Sequence, residues 1–186
     1  VLSKYVDWTD RTTCVLFADG AGAFLLKKEK GERGILETAL YSDGNYSDLI
    51  TMPGGGGKYP PNVKEYIDQR LPFIKMKGNE TFKLAVKMLT DVSLEVLNRH
   101  NLKPSDVDWF VPHQANKRII DAVGERLGLK EEQVYLNISY TGNTSSASIP
   151  IAVDEMVEKG LIKENQVLLS SAFGAGLTWG GALIRW

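Results

Sequence analysis

Residues 79–99 carry apolar side chains almost all the way round a helix, and that leaves few ways to fold the chain. Phe82, Ala85, Val86, Leu89, Val92 and Val96 make one face, and Leu84, Met88, Leu94 and Leu97 widen it. The polar residues left over, Lys83, Lys87, Asp91, Glu95 and Arg99, recur at every fourth position. A helix with so narrow a polar stripe must be covered by other elements over most of its circumference. The stripe also sets Lys87 against Asp91 and Glu95 against Arg99, pairs that contribute about 0.2–0.5 kcal/mol each.

The flanking segments supply the covering layers. Residues 13–17 and 21–26 are apolar runs joined at Asp19-Gly20, a hairpin signal. Residues 34–41 read as a third strand, and residues 42–61, rich in Gly, Pro, Asn and Ser, as a loop. Residues 108–111 form a short buried strand, and residues 116–127 a helix stopped by Gly128. A short strand is expected at 134–136. Residues 145–159 form a helix with Pro150 near its first turn and Gly160 past its end. Residues 166–172 and 177–186 are two strands close enough in sequence to pair. This order implies one α/β layered domain with a mixed sheet over residues 1–186.

Composition removes several function classes. The chain is 186 residues long, 43% hydrophobic and 24% charged, the balance of an ordinary globular domain. Its net charge of −1 speaks against a basic nucleic-acid surface. The lone Cys14 excludes an internal disulfide framework and a cysteine-based zinc cluster, and in its apolar run it reads as a small hydrophobe. No run approaches the roughly 18 apolar residues of a membrane span, and no secretory signal opens the chain, so a cytoplasmic location is expected. The start at Val1, without an initiator methionine, reads as a processed chain or a fragment.

Three motifs carry possible chemistry. His113 leaves the end of an apolar strand, in Trp109-Phe110-Val111-Pro112-His113-Gln114-Ala115-Asn116, and precedes a helix. It is either a ligand-facing group of the kind α/β folds place there or a hydrogen-bonded structural histidine. Asn143, in Gly142-Asn143-Thr144-Ser145, is either the cap of the next helix or an amide donor to a substrate oxygen. Phe173-Gly174-Ala175-Gly176 is either a plain hairpin turn or a turn whose backbone N–H helps to bind an oxyanion. Gly54-Gly55-Gly56-Gly57-Lys58 fails as a phosphate loop, because Met52 and Tyr59 occupy the positions that need Gly and Ser or Thr. The Gly-rich stretches at 20 and 174 miss the dinucleotide pattern at Leu25 and Trp179. No serine sits in a Gly-x-Ser-x-Gly elbow.

Taken in order, Asp19-Gly20-Ala21-Gly22, Gly78-Asn79-Glu80, His113-Gln114-Ala115-Asn116, Gly142-Asn143-Thr144-Ser145 and Phe173-Gly174-Ala175-Gly176-Leu177-Thr178-Trp179-Gly180 resemble the C-terminal half of the β-ketoacyl-acyl-carrier-protein synthase III family. The resemblance covers essentially the whole chain. It implies a thiolase-like half, three layers α/β/α around a five-stranded mixed sheet. It also implies decarboxylative condensation of an acyl-CoA, expected to be acetyl-CoA, with malonyl-acyl-carrier protein. On this resemblance His113 and Asn143 donate hydrogen bonds to the malonyl thioester oxygen, and the Ala175 turn gives a backbone N–H to the acyl oxyanion. Arg11, Leu16, Phe17, Gly78, Asn79, Phe82, Ala115 and Asn116 are the expected CoA and pantetheine contacts, and Lys83, Arg118 and Arg126 the carrier-protein contacts. The CoA thioester is a substrate, with no metal or other cofactor implied. The family's nucleophilic cysteine precedes the segment matching Val1, so the expected partners are the N-terminal half of the same enzyme and, once complete, a second copy. No nucleic acid or membrane partner is expected. A non-catalytic CoA or carrier-protein binding module and a Cys-His-Asn condensing enzyme of polyketide type are the alternative readings.

Overall fold

The computed structural model describes residues 1–28 and 30–186. In chain order the regular elements are β1 (Gly34–Ser42), β2 (Ile50–Thr51), α1 (Lys64–Asp68), β3 (Lys75–Met76), α2 (Gly78–Arg99), β4 (Trp109–Phe110), α3 (Lys117–Leu127), α4 (Ile138–Thr141), α5 (Ser148–Glu158), β5 (Val167–Gly174) and β6 (Thr178–Arg185). The main sheet runs β1-β6-β5-β4, with β4 parallel to β5 and the other pairs antiparallel. β2 and β3 pair separately.

The two-residue period of β5 divides the core. Val167 and Leu169 face a cluster built from α2 and α3, with Leu89, Val96, Leu97, Ile119 and Val123. Leu168, between them, faces the other way, where Ala152, Val153 and Met156 of α5 meet Val111. The molecule is thus three layers, α2 and α3 over the sheet and α5 beneath it. α2 behaves as its sequence requires. Lys83, Lys87, Asp91 and Arg99 are exposed, while ten other residues of the helix are buried. Lys87 reaches Asp91 and Arg99 reaches Glu95, both at 2.5 Å.

The expected five-stranded sheet has four strands and a remnant of the fifth. Val134 makes one parallel bridge to Phe110, and Tyr135 donates its N–H to the Phe110 carbonyl at 2.9 Å. The pairing stops there because Gln114 takes the next backbone groups, as described below. The hairpin at 13–26 does not form. Backbone groups of Leu16 and Ala18 pair with Asn143, and the Asp19 carboxylate accepts from the Ser3 N–H and hydroxyl at 2.8 and 2.5 Å. Residues 21–26 run on without strand structure, and Leu25 is 96% exposed. β2 lies inside what reads as a loop in the sequence, and Cys14 is half-buried in a turn rather than a strand.

Gly181 of β6 lies against α2. A Cβ there falls 3.1 Å from Val92 Cγ2 and 3.2 Å from the Val92 carbonyl oxygen. Gly181→Val is therefore expected to push the helix off the sheet and cost about 1–3 kcal/mol. A lower denaturant midpoint at unchanged slope is the predicted readout, and an unchanged midpoint contradicts this packing.

Candidate active site

The site sits at the carboxyl ends of the parallel pair β4 and β5, where open α/β sheets leave a crevice. The ladder continues past β4: the N–H of Val111 bonds the Leu169 carbonyl and that of His113 bonds the Ser171 carbonyl, both at 2.9 Å. The chain then turns into α3, capped by the Asn116 side chain on the Arg118 N–H at 2.9 Å and ended by Gly128 at φ 69°. The His113 ring meets the edge of Phe173, from the end of β5, with centroids 6.4 Å apart.

Gln114 fixes the second half of the site. Its side chain is fully buried and every hydrogen-bonding position on the amide is used. Nε2 donates to the carbonyls of Pro112 and Tyr135 at 3.0 and 3.2 Å. Oε1 accepts from the N–H groups of Asn137 and Ile138 at 3.1 and 3.3 Å. The end of β4 is thereby locked to the segment that leads through α4 to Asn143. Gly142 follows α4 at φ 68°, and a Cβ on it lies 2.7 Å from Ala18 Cβ, so only glycine lets residues 16–18 come this close.

Asn143 is not the cap of α5, whose first residue follows Ala147, and its side chain bonds at both ends. Its Oδ1 accepts from the Ser145 N–H at 2.9 Å, closing the turn before α5. Its Nδ2 donates to the Ala115 carbonyl at 3.3 Å, and an amide nitrogen has a second proton to give. These partners fix which end of the amide is which. Burial of the His113 ring lowers its pKa to about 4, so the imidazole is neutral near neutral pH. Its Nδ1 lies 2.7 Å from Ser148 Oγ.

His113 and Asn143 line one cavity of about 500 Å³. Of the other expected site residues, Leu16, Phe17, Gly78, Asn79, Phe82, Ala115, Asn116, Arg118 and Ala175 also line it. Arg118 stacks its guanidinium 5.4 Å from the Phe82 ring centroid. Arg11, Lys83 and Arg126 are exposed and stand outside the lining. The opposite wall comes from Ile50, Thr51, Ile74 and Met76, around the small β2–β3 pair that lay hidden in a loop-like sequence. Sequence reasoning also missed Gln114 and Ser148 as parts of the site. Gln114 was signalled by its place beside His113, but nothing in the spacing marks a serine 35 residues away. Among the described residues no three of His, Cys, Asp and Glu gather as a metal-binding group, and no helix is long and apolar enough to cross a membrane.

Two outcomes follow from this geometry. His113 should titrate near pH 4 by NMR, below the ordinary value of 6.5. Because the unfolded chain then binds the proton more tightly, stability is held above pH 6.5 and falls as the pH drops towards 4. His113→Asn should flatten that window, and a titration near 6.5 contradicts the burial. Gln114→Ala leaves the buried N–H of Asn137 and the part-buried N–H of Ile138 without their acceptor and should cost about 3 kcal/mol, measured by chemical denaturation.

The chain is similar to known proteins over its whole length. The family described as 3-oxoacyl-[acyl-carrier-protein (ACP)] synthase III C terminal matches residues 97–186, and 3-oxoacyl-[acyl-carrier-protein (ACP)] synthase III matches residues 1–44. The β-ketoacyl-[acyl-carrier-protein] synthase III of Coxiella burnetii is 50% identical over 99% of this chain and 54% of that protein. That of Aliarcobacter butzleri is 51% identical over 98% of this chain and 55% of that protein. The crystal structure of the Aquifex aeolicus 3-oxoacyl-[acyl-carrier-protein] synthase III superposes with a TM-score of 0.87 at 42% identity, covering 100% of this chain and 55% of that one. The chain thus spans about half the length of the relatives it matches, and its layers and mixed sheet are those of the thiolase-like class. On these matches the chain belongs to the β-ketoacyl-acyl-carrier-protein synthase III family and corresponds to the C-terminal half of its members.

Proposed function

We propose that this chain supplies the decarboxylating half of an initiating condensing enzyme, one that joins an acyl group from an acyl-CoA, acetyl-CoA above all, to malonyl-acyl-carrier protein. The observation that carries the reading is that His113 and Asn143 line the same cavity, each tied down on one side and each with nitrogen donor capacity left over. When the malonyl carboxylate leaves as CO2, the electron pair of the broken C–C bond passes into an enolate and charge gathers on the thioester oxygen. Two fixed donors stabilise that charge more than they stabilise the neutral carbonyl, so they lower the barrier. The enolate carbon then attacks an acyl thioester held by a nucleophilic cysteine, and the thiolate leaves. The Ala175 turn lines the cavity, and this reading assigns its N–H to the oxyanion of that step.

Cys14 is not among the cavity-lining residues, so the reading assigns the nucleophile to the N-terminal half of the enzyme. Phe24, Leu25, Leu26 and Leu40 are exposed apolar side chains that support packing against such a partner. Arg118 at the cavity, with Lys83 and Arg126 on the surface of α2 and α3, offers positive charge to an acidic carrier protein. Such charges chiefly tune association rate and salt dependence. The chemistry asks for no metal or redox cofactor, and the complete enzyme is expected to be a cytoplasmic homodimer.

The test is malonyl-thioester decarboxylation by the complete enzyme, in which this chain is joined to its N-terminal half. His113→Ala and Asn143→Ala are each expected to slow it about 10²–10³-fold. A binding module without chemistry shows no CO2 release in any form. Condensation by the purified 186-residue chain alone contradicts the assignment of the nucleophile to the other half.

A further inference from the structure

We propose that Ser148 is a positioning residue that fixes His113 in the tautomer protonated at Nε2. The proposal concerns a proton count that the structure itself closes. Its consequence for catalysis rests on the decarboxylation role assigned above.

Ser148 is the first residue of α5 and is 2% exposed. Its Oγ accepts the N–H of Gln114 at 3.2 Å and lies 2.7 Å from His113 Nδ1. A serine hydroxyl has one proton to give and two lone pairs to fill. In the body of a helix that proton commonly goes to the carbonyl four residues back. At the first position of α5 no such bond forms, and the corresponding Thr144 carbonyl accepts from the Ala147 N–H at 3.2 Å. Among the described residues Nδ1 is the acceptor within reach of the Ser148 proton.

The two tautomers therefore differ in what they leave unmet. With the proton on Nε2, Nδ1 accepts from Ser148, Oγ accepts from Gln114, and every buried group has its partner. With the proton on Nδ1, Oγ faces two donors and its own proton is buried with no acceptor, a state that folded proteins avoid. Ser148 thus selects the form that presents an N–H, not a bare nitrogen, to the cavity. Gln114 takes part twice: its side chain holds the Asn143 segment, and its backbone N–H loads the hydroxyl that orients His113. One residue so couples the placement of both expected donors.

The experiment is nitrogen-15 NMR of the 186-residue chain with ring-labelled histidine at pH 7. Only two histidines are present, and His100→Gln assigns the other signal. The wild-type chain is expected to show His113 protonated at Nε2, with Nδ1 at the shift of an unprotonated ring nitrogen. Ser148→Ala should move the ring towards a tautomer mixture, and Ser148→Thr, which keeps the hydroxyl, should restore it. A wild-type ring protonated at Nδ1, or a Ser148→Ala ring that stays wholly Nε2–H, overturns the proposal. The wild-type spectrum decides even if a variant does not fold. In the complete enzyme, Ser148→Ala should lower the kcat of decarboxylation about tenfold or more with little change in KM. An enzyme that shows the tautomer response but no decarboxylation in any form supports the role of Ser148 and removes the functional reading instead.

Discussion

The burial of α2 against the sheet is the contact on which the other parts depend. Its wide apolar face covers β5, β6 and β1 and leaves one flank for α3. Because α3 must lie beside α2, the turn from β4 into α3 has to occur at the carboxyl edge of the sheet, and that turn carries His113. The small residues of β6 serve the same end, since Gly181 lets the backbone of α2 approach to van der Waals distance. A core contact therefore determines where the chemistry can be placed, although no core residue has a chemical part in it.

Polar bookkeeping does the rest at short range. Gln114 is wholly buried and wholly satisfied, and it bridges two segments that the sheet alone leaves unconnected. Asn143 spends its oxygen on a turn and part of its nitrogen on a carbonyl. A buried amide with every position filled is costly to disturb, so it can hold a geometry that a loop held by packing alone cannot. The result is a neutral imidazole and a side-chain amide facing one cavity.

The sequence made the layers and the motif residues legible for a physical reason: periodicity reports which face of an element is buried. It located α2, β1, β5 and β6 closely, and His113 and Asn143 by their place after a strand and before a helix. It could not show what buries each face. Residues 13–17 and 21–26 have the composition of a hairpin, yet the backbone of Leu16 and Ala18 pairs with Asn143 and the turn carboxylate of Asp19 with Ser3, contacts that no local pattern encodes. The short β2–β3 pair is invisible for the opposite reason, because two-residue strands carry no period. Ser148 meets His113 across 35 residues, and only the fold brings them together.

The most direct measurement is a crystal structure of the complete enzyme with a malonyl-thioester analogue that cannot lose CO2. The account predicts the thioester oxygen within hydrogen-bond distance, about 2.7–3.1 Å, of both His113 Nε2 and Asn143 Nδ2. A thioester oxygen that meets only one of them, or neither, contradicts the claim that this half of the molecule is built to stabilise the enolate.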